Sequence, residues 1–201
     1  MSAPPTNVTW QESALDRRRR WRALGQQGAT VWFTGLPGAG KSTIAAAVEA
    51  CLVESGRSAY RLDGDNLRHG ICADLGFSPG DRETNVHRVG EVARLFADAG
   101  TVALVALVSP YAECRRKVRE LHEHDGLAFL EVFVNTPSEE CARRDPKGLY
   151  ARAHLGDLVG LTGVDAPYEQ PGQPEVELTP AMDVELAAAT VLRALGERLE
   201  G

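Results

Sequence analysis

The sequence predicts an α/β fold, in which a parallel β-sheet is flanked by helices on both faces, and two observations lead to that prediction. Short apolar runs suited to buried strands alternate with longer amphipathic stretches of helical period. The length of 201 residues and the hydrophobic content of 43% suit one compact domain with a full core. We therefore expect a single sheet covered by helices.

The expected elements alternate along the chain. Strands are predicted at 29–34, 58–62, 101–108 and 128–135, with a weaker one at 176–178, and helices at about 41–55, 82–99, 111–124 and 183–199. Two segments interrupt the alternation, residues 1–28 and the Gly- and Pro-rich stretch 145–180. We interpret 1–28 as an N-terminal extension of a domain that spans 29–201. Its run Arg17 to Arg20, set among Trp10, Glu12, Asp16 and Trp21, favours a solvated helix over an anion-binding patch.

Charge and composition exclude several classes of function. The formal net charge of −6 should repel a polyanion, so we expect no nucleic-acid partner. The chain has neither a long apolar run nor a recognisable signal peptide, and we expect a cytoplasmic protein without a membrane span. The four cysteines lack metal-site spacing and are expected to be reduced, structural thiols. A GTPase is disfavoured because Asn135 is followed by Thr-Pro-Ser instead of a guanine-recognition signature.

A glycine-rich phosphate-binding loop is the strongest motif. The segment GLPGAGKST follows an apolar strand and opens a helix, which is the context that a G-x-x-x-x-G-K-[ST] match requires. Main-chain N–H groups and the helix dipole would hold a triphosphate there, Lys41 would reach the β- and γ-phosphates, and the Ser42 hydroxyl would ligate Mg²⁺. The expected ATP-binding residues are Gly35, Leu36, Pro37, Gly38, Ala39, Gly40, Lys41, Ser42 and Thr43.

Two carboxylates follow the second predicted strand, in the segment DGDNLR. Ligands of open α/β sheets collect at the carboxyl ends of strands. One of Asp63 and Asp65 can organise Mg²⁺, while the other orients the attacking hydroxyl as the catalytic base. Arg68 would lie one helical turn beyond Asp65, ready to hold an anionic acceptor. The alternative is that Asp65 is simply the N-cap of a helix.

Taken together, the motifs resemble those of adenylylsulfate (APS) kinases, which are P-loop kinases. The matching pieces are VWFTGLPGAGKST, DGDNLRHGICADLGFSPGDRETN, the triplet from Ser109 to Tyr111, and DPKGLYARAHLGDLVGLTGVDAPYE. The resemblance implies transfer of the ATP γ-phosphate to the 3'-hydroxyl of adenosine 5'-phosphosulfate, giving PAPS and ADP. It also implies a homodimer, a mobile lid at about 145–165, and ATP sulfurylase as a candidate associate.

The resemblance also implies roles for individual residues. APS would be bound by Asp65, Asn66, Arg68, Phe77, Arg82, Asn85 and Lys147, with contributions from Ser109 and Leu161. Phe77 would stack on the adenine, and Arg68 and Arg82 would face the phosphosulfate. Asp63 would help to hold Mg²⁺ and Asp65 would be the base, although these two roles could be exchanged. Ser109 is a further catalytic candidate.

The chain departs from the family pattern at a few positions. Leu161 stands where a phenylalanine is common, so one face of the adenine would lose an aromatic partner worth roughly 1 kcal/mol. Pro37 and Ala39 replace serines in a loop that works through its backbone, so little effect is expected. Two other readings stay open at this point: a P-loop kinase for another alcohol, such as a nucleoside or sugar, and a nucleotide-sensing domain without catalysis.

Overall fold

The computed structural model describes residues 7–9, 11 and 13–200, and within them a five-stranded sheet forms the centre of the molecule. The strands are β1 Ala29–Thr34, β2 Ala59–Asp63, β3 Val102–Ala106, β4 Ala128–Val134 and β5 Val176–Leu178. Their order is β2-β3-β1-β4-β5, and each neighbouring pair is parallel. The predicted parallel α/β sheet is confirmed, with each observed strand starting or ending within two residues of its prediction.

Eight helices surround the sheet in the described part of the chain. They are α1 Arg17–Leu24, α2 Lys41–Glu54, α3 Gly64–Leu67, α4 Pro79–Ala99, α5 Ala112–His124, α6 Ser138–Arg144, α7 Leu149–His154 and α8 Val184–Glu200. Helix α4 begins three residues before its predicted start, because Ser78 caps it and Pro79 occupies its first turn. Helices α6 and α7 were not predicted, since seven and six residues are too few to establish a helical period.

The core has two layers, one on each face of the sheet. On one face, β1 residues such as Val31 and Phe33 pack with buried residues of α2 and α8. On the other, Trp32 and Phe129 pack with buried residues of α4 and α5. All six residues of β1 are buried, as expected for a strand with helices on both sides.

The first helix lies against the body of the molecule instead of being only solvated. It has no buried residue, which agrees with the prediction, but Arg17 and Arg20 both pair with Asp98 near the end of α4, at 2.6 and 2.7 Å. The Trp21 indole N–H donates to the Asp98 carbonyl at 3.1 Å. Trp10 and Glu12, which supported the helix prediction, lie outside the described residues.

The strand order places a crevice at the carboxyl end of β1. The chain leaves β1 toward β2 on one side and, after β3, crosses to β4 on the other side. Such a reversal opens a ligand-binding crevice in parallel α/β sheets, and the glycine-rich loop begins there. In the described residues, no helix is both long enough and apolar enough to cross a membrane.

Candidate active site

The loop between β1 and α2 has the backbone conformation of a phosphate cradle. Gly35, Gly38 and Gly40 have φ angles of 149°, 78° and 109°, which residues with a side chain rarely adopt. At Gly35 a Cβ atom would also lie 2.7 Å from the carbonyl oxygen of Val134. Helix α2 starts at Lys41 directly after these turns, so its unpaired N–H groups and positive dipole end point into the loop.

Lys41 is buried beneath the cradle. Its Nζ donates to the carbonyl oxygens of Gly35 and Leu36 at 2.9 and 2.8 Å. Burial lowers the pKa of this ammonium group from 10.5 to about 8, although Asp65 and Asp63 act in the opposite direction. The Lys41 ammonium group is therefore held by two uncharged carbonyl oxygens, which charged phosphate oxygens could replace.

Residues from outside the motif hold the cradle in place. The Thr136 hydroxyl, just after β4, donates to the Ala39 carbonyl at 3.0 Å. The Tyr150 hydroxyl of α7 donates to the Pro37 carbonyl at 2.9 Å. Sequence reasoning missed both. The position of Thr136 after a predicted strand was an available signal, whereas nothing local to Tyr150 indicated its contact.

Asp63 ends β2 and begins α3. Its Oδ1 accepts from the Asp65 N–H at 3.1 Å, so Asp63 is the N-cap of the helix, and the alternative that Asp65 fills that role is wrong. The Arg61 Nη1 lies 3.4 Å from both Asp63 Oδ2 and the Ser42 carbonyl oxygen. This shared contact brings the Asp63 carboxylate close to the start of α2. Arg61, a charge within a strand, was not identified from the sequence.

The oxygens of Ser42 and Asp63 fit a magnesium ion. Both are hard donors on the rim of the cradle, and Mg²⁺ typically takes one or two protein oxygens while keeping waters and phosphate oxygens as its other ligands. In the described part of the chain, no group of three or more His, Cys, Asp and Glu residues could enclose a metal by itself. A metal held between protein and nucleotide is therefore the arrangement that these residues suit.

Asp65, which lies just after the end of β2, contacts Lys147. Asp65 and Asn66 are exposed on α3, and the Lys147 ammonium forms an ion pair with the Asp65 carboxylate. These two residues are 82 positions apart in the chain. The contact joins the Gly- and Pro-rich segment after α6 to the acidic end of β2.

Arg68, Phe77 and Arg82 form a second group beside α4. The Arg68 guanidinium lies 4.4 Å from the Phe77 ring centroid and donates to two main-chain carbonyls, those of residues 75 and 76. Arg82 donates to Thr162 Oγ1 and to the Gly160 carbonyl, each at 2.6 Å. Phe77 is 63% exposed, so its ring is accessible to a planar ligand.

Asn85 has an unsatisfied polar atom. Its side chain is only 3% exposed, and its Oδ1 has no hydrogen-bond donor among the described residues. A buried acceptor of this kind costs about 1–3 kcal/mol, so such atoms commonly mark functional positions. Asn85 follows Arg82 by one turn of α4 and thus belongs to the same region.

Ser109 lies in the interior, in the loop after β3. This residue is 1% exposed, and its hydroxyl accepts from the Trp32 indole N–H at 3.1 Å and donates to Thr34 Oγ1 at 2.9 Å. Its φ of 40° is unusual for a residue with a side chain. Through these hydrogen bonds the hydroxyl holds the loop after β3 against the end of β1, and the expected contact of Ser109 with a substrate stays a prediction.

Leu161 also lies away from the surface. It is 7% exposed and belongs to the core cluster on the α2 and α8 face. Direct contact with an adenine would require the segment around it to move. The expected role of Leu161 in APS binding therefore stays a prediction.

Other sequence predictions concern groups outside this region. All four cysteines are free thiols, and three of them are buried. A cavity of about 1590 Å³ lies between α1 and the ends of α2 and α8, near the amino ends of the strands. None of the predicted site residues lines this cavity, because the glycine-rich loop and Asp63 lie at the other end of the strands, the carboxyl end.

Comparison with known proteins agrees with this geometry. The family model described as adenylylsulphate kinase matches residues 27–179. An adenylyl-sulfate kinase of Clostridium acetobutylicum is 48% identical over 180 residues, covering 90% of this chain and 88% of the relative. One of Enterobacter sp. (strain 638) is 51% identical over 178 residues, covering 89% of this chain and 88% of the relative.

A solved structure gives the same result in three dimensions. The APS kinase of Mycobacterium tuberculosis in complex with AMPPNP and APS superposes with a TM-score of 0.83 and 51% identity, covering 85% of this chain and 99% of its own. Sequence, family model and fold agree over most of the chain. The protein therefore belongs to the adenylylsulphate kinase family.

Proposed function

We propose that this chain phosphorylates the 3'-hydroxyl of adenosine 5'-phosphosulfate with ATP, giving PAPS and ADP. One observation carries the proposal: Lys147 reaches across from the lid segment to Asp65, beside the cradle that holds Lys41. A nucleotide cradle, an accessible carboxylate and cations on a covering segment are the parts that phosphoryl transfer to an alcohol requires.

On the ATP side, the glycine conformations and the start of α2 supply main-chain donors to the triphosphate. The Lys41 ammonium would exchange its two carbonyl acceptors for phosphate oxygens. Ser42 and Asp63 would hold Mg²⁺, which would supply positive charge to offset the charge that develops on the transferring phosphoryl group. Arg61 and the start of α3 fix the Asp63 carboxylate, so it would hold the ion without rearranging.

On the acceptor side, Asp65 is our choice for the base. It is exposed and its carboxylate does not cap a helix, which suits a group that accepts the proton of the 3'-hydroxyl. In the described structure Lys147 occupies that carboxylate, and an incoming APS would have to displace or share it. We propose that Asn66, Arg68, Phe77, Arg82 and Asn85 hold APS, with Phe77 against its adenine. The exposure of Phe77 and the unsatisfied Asn85 Oδ1 support this assignment.

The segment 145–165 is proposed as the lid. It contacts both halves of the site, through Lys147 to Asp65 and through Gly160 and Thr162 to Arg82. Closing it over the nucleotides would exclude water from the transferring phosphoryl group, which limits wasteful hydrolysis of ATP.

We also propose that the protein is a cytoplasmic homodimer, on the basis of its resemblance to the family. Light scattering of the purified protein would give about twice the monomer mass of 21.7 kDa. A single 21.7 kDa species at assay concentrations would reject the dimer. The same experiment in the presence of an ATP sulfurylase tests that association.

The deciding experiment measures ADP release with magnesium, ATP and a panel of alcohols. We expect turnover with APS and none with nucleosides or sugars. Lys41→Ala should abolish turnover while leaving the circular dichroism spectrum unchanged. Turnover with another alcohol alone would favour a different P-loop kinase, and ATP binding without any transfer would favour a nucleotide sensor.

A further inference from the structure

The segment that follows the proposed lid is fixed at two consecutive residues, Tyr168 and Glu169, which we call the strap. The Glu169 N–H donates to the Pro110 carbonyl at 2.8 Å, and the Glu169 carboxylate accepts from the Ala112 N–H at 2.7 Å. The Tyr168 hydroxyl lies 3.0 Å from Thr34 Oγ1. The strap therefore joins the end of the lid to the loop after β3 and to the last residue of β1.

Arg115 of α5 lies at the centre of these contacts. It is 3% exposed, and its guanidinium donates to the Ser109 carbonyl, the Glu169 carbonyl and Glu131 Oε1, each at 2.7 Å. The guanidinium carbon is also 5.8 Å from the Tyr168 ring centroid. Three different elements are thus held by one planar group, which a lysine could not reproduce because its ammonium is a compact point charge.

We propose that Arg115 is a positioning residue for APS. It fixes the strap, and the strap in turn fixes the position of the lid. The identity of the substrate, APS, is taken from the proposed function. Glu131 supplies the compensating charge, and the Ser109 and Glu169 carbonyls are the two points that Arg115 joins.

The link from Arg115 to the substrate site runs through the lid. Nine residues before Glu169, the Gly160 carbonyl accepts from Arg82, and so does the hydroxyl of Thr162. Arg82 is one of the cations that we assign to APS. Fixing the strap restricts where the Gly160–Thr162 turn can lie, and so fixes which hydrogen bonds hold the Arg82 guanidinium.

The energetics favour a geometric role over a stabilising one. A buried ion pair such as Arg115–Glu131 gains little net stability, because desolvation of both charges offsets their attraction. The main-chain carbonyls that Arg115 also binds belong to segments with little regular structure of their own. Arg115 joins these two segments directly, so we expect its replacement to loosen their relative position.

The test compares Arg115→Lys with the matched control Arg119→Lys. Arg119 lies one turn further along α5 and also pairs with Glu131, at 3.4 Å, but it contacts neither Ser109 nor the strap. We expect Arg115→Lys to raise the KM for APS about tenfold or more while the KM for ATP stays within about twofold, because only acceptor positioning is lost. Arg119→Lys should leave both constants within about twofold. Equal losses toward both substrates, or the same effect from both variants, would overturn the proposal.

Hydrogen exchange supplies a readout that does not depend on APS turnover. Amides at 160–170 should exchange faster in Arg115→Lys than in Arg119→Lys, with the strands unchanged. If the wild-type protein fails to phosphorylate APS, the proposed function is lost, and this measurement still decides whether Arg115 fixes the strap. If Arg115→Lys does not fold, Glu131→Gln weakens the same ion pair and should show the same local increase in exchange. Unchanged protection at 160–170 would refute the role.

Discussion

Binding of ATP should be coupled to proton uptake by Lys41. Burial lowers the pKa of this group to about 8 in the free protein, and phosphate oxygens would raise it again by favouring the ammonium form. Near pH 8 the free protein would then be about half protonated at Lys41, and binding would take up roughly half a proton. At pH 7 the group is already protonated and little uptake is expected.

The same shift sets how the affinity for ATP depends on pH. Because ATP selects the protonated form, its dissociation constant should rise about tenfold between pH 7 and pH 9. The lowered pKa of Lys41 changes the stability of the fold in the opposite sense: ATP affinity falls as the pH rises, whereas stability increases. The unfolded chain binds more protons between pH 8 and 10.5, so the Lys41 contribution to stability increases as the pH rises through that range.

Titration calorimetry with a non-hydrolysable ATP analogue measures both quantities. The apparent enthalpy at pH 8 should differ between buffers of different ionisation enthalpy, and the difference gives the protons taken up. Lys41→Ala is the control, since its weaker binding should show neither uptake nor a dependence on pH over the same range. A wild-type affinity that is flat from pH 7 to 9, with no buffer dependence, would refute the assignment of a lowered pKa to a phosphate-binding lysine.

Four further substitutions separate catalysis, binding and stability. Asp65→Asn should lower kcat about 100-fold or more while unfolding in urea stays unchanged, because the residue is exposed. Asp63→Ala should lower activity and stability together, since Asp63 also caps α3 and an alanine cannot accept the Asp65 N–H. Asn85→Leu removes a buried, unsatisfied oxygen, so we expect equal or higher stability with weaker APS binding, and unaltered APS affinity would contradict its assignment. Leu161→Phe should lower the free energy of unfolding by about 1–3 kcal/mol through overpacking. The family resemblance predicts instead that a phenylalanine here gives the adenine an aromatic partner, and tighter APS binding with unchanged stability would favour that expectation.

Local sequence patterns were enough to predict the parallel sheet and the phosphate cradle of the candidate site. The parallel sheet followed from apolar runs alternating with amphipathic stretches, and the cradle followed from glycine spacing before Lys41. These features are local because a buried strand, or a loop with positive φ angles, is encoded by the residues that form it. The residues of the acceptor side were predicted from the family resemblance alone, and their roles stay a prediction.

The Gly- and Pro-rich segment 145–180 required more than local reasoning. Its composition interrupts the alternation of strands and helices, and α7 inside it was not predicted. That helix depends on Asp145, whose carboxylate accepts from the N–H groups of Tyr150 and Ala151. Six residues whose first N–H groups are held in this way form a helix without any repeating apolar pattern, so periodicity could not reveal it.

The sequence by itself determined the fold class, the phosphate cradle and the family of this protein, because each is written in contiguous residues. Only the tertiary structure decided that Asp63 caps a helix while Asp65 pairs with Lys147, that the Ser109 hydroxyl is buried, and that Arg115 joins Ser109 to Glu169. These outcomes depend on contacts between residues far apart in the chain, such as the 54 positions that separate Arg115 from Glu169. The direction of a side chain and the partner available to it are set by packing, which no local pattern specifies.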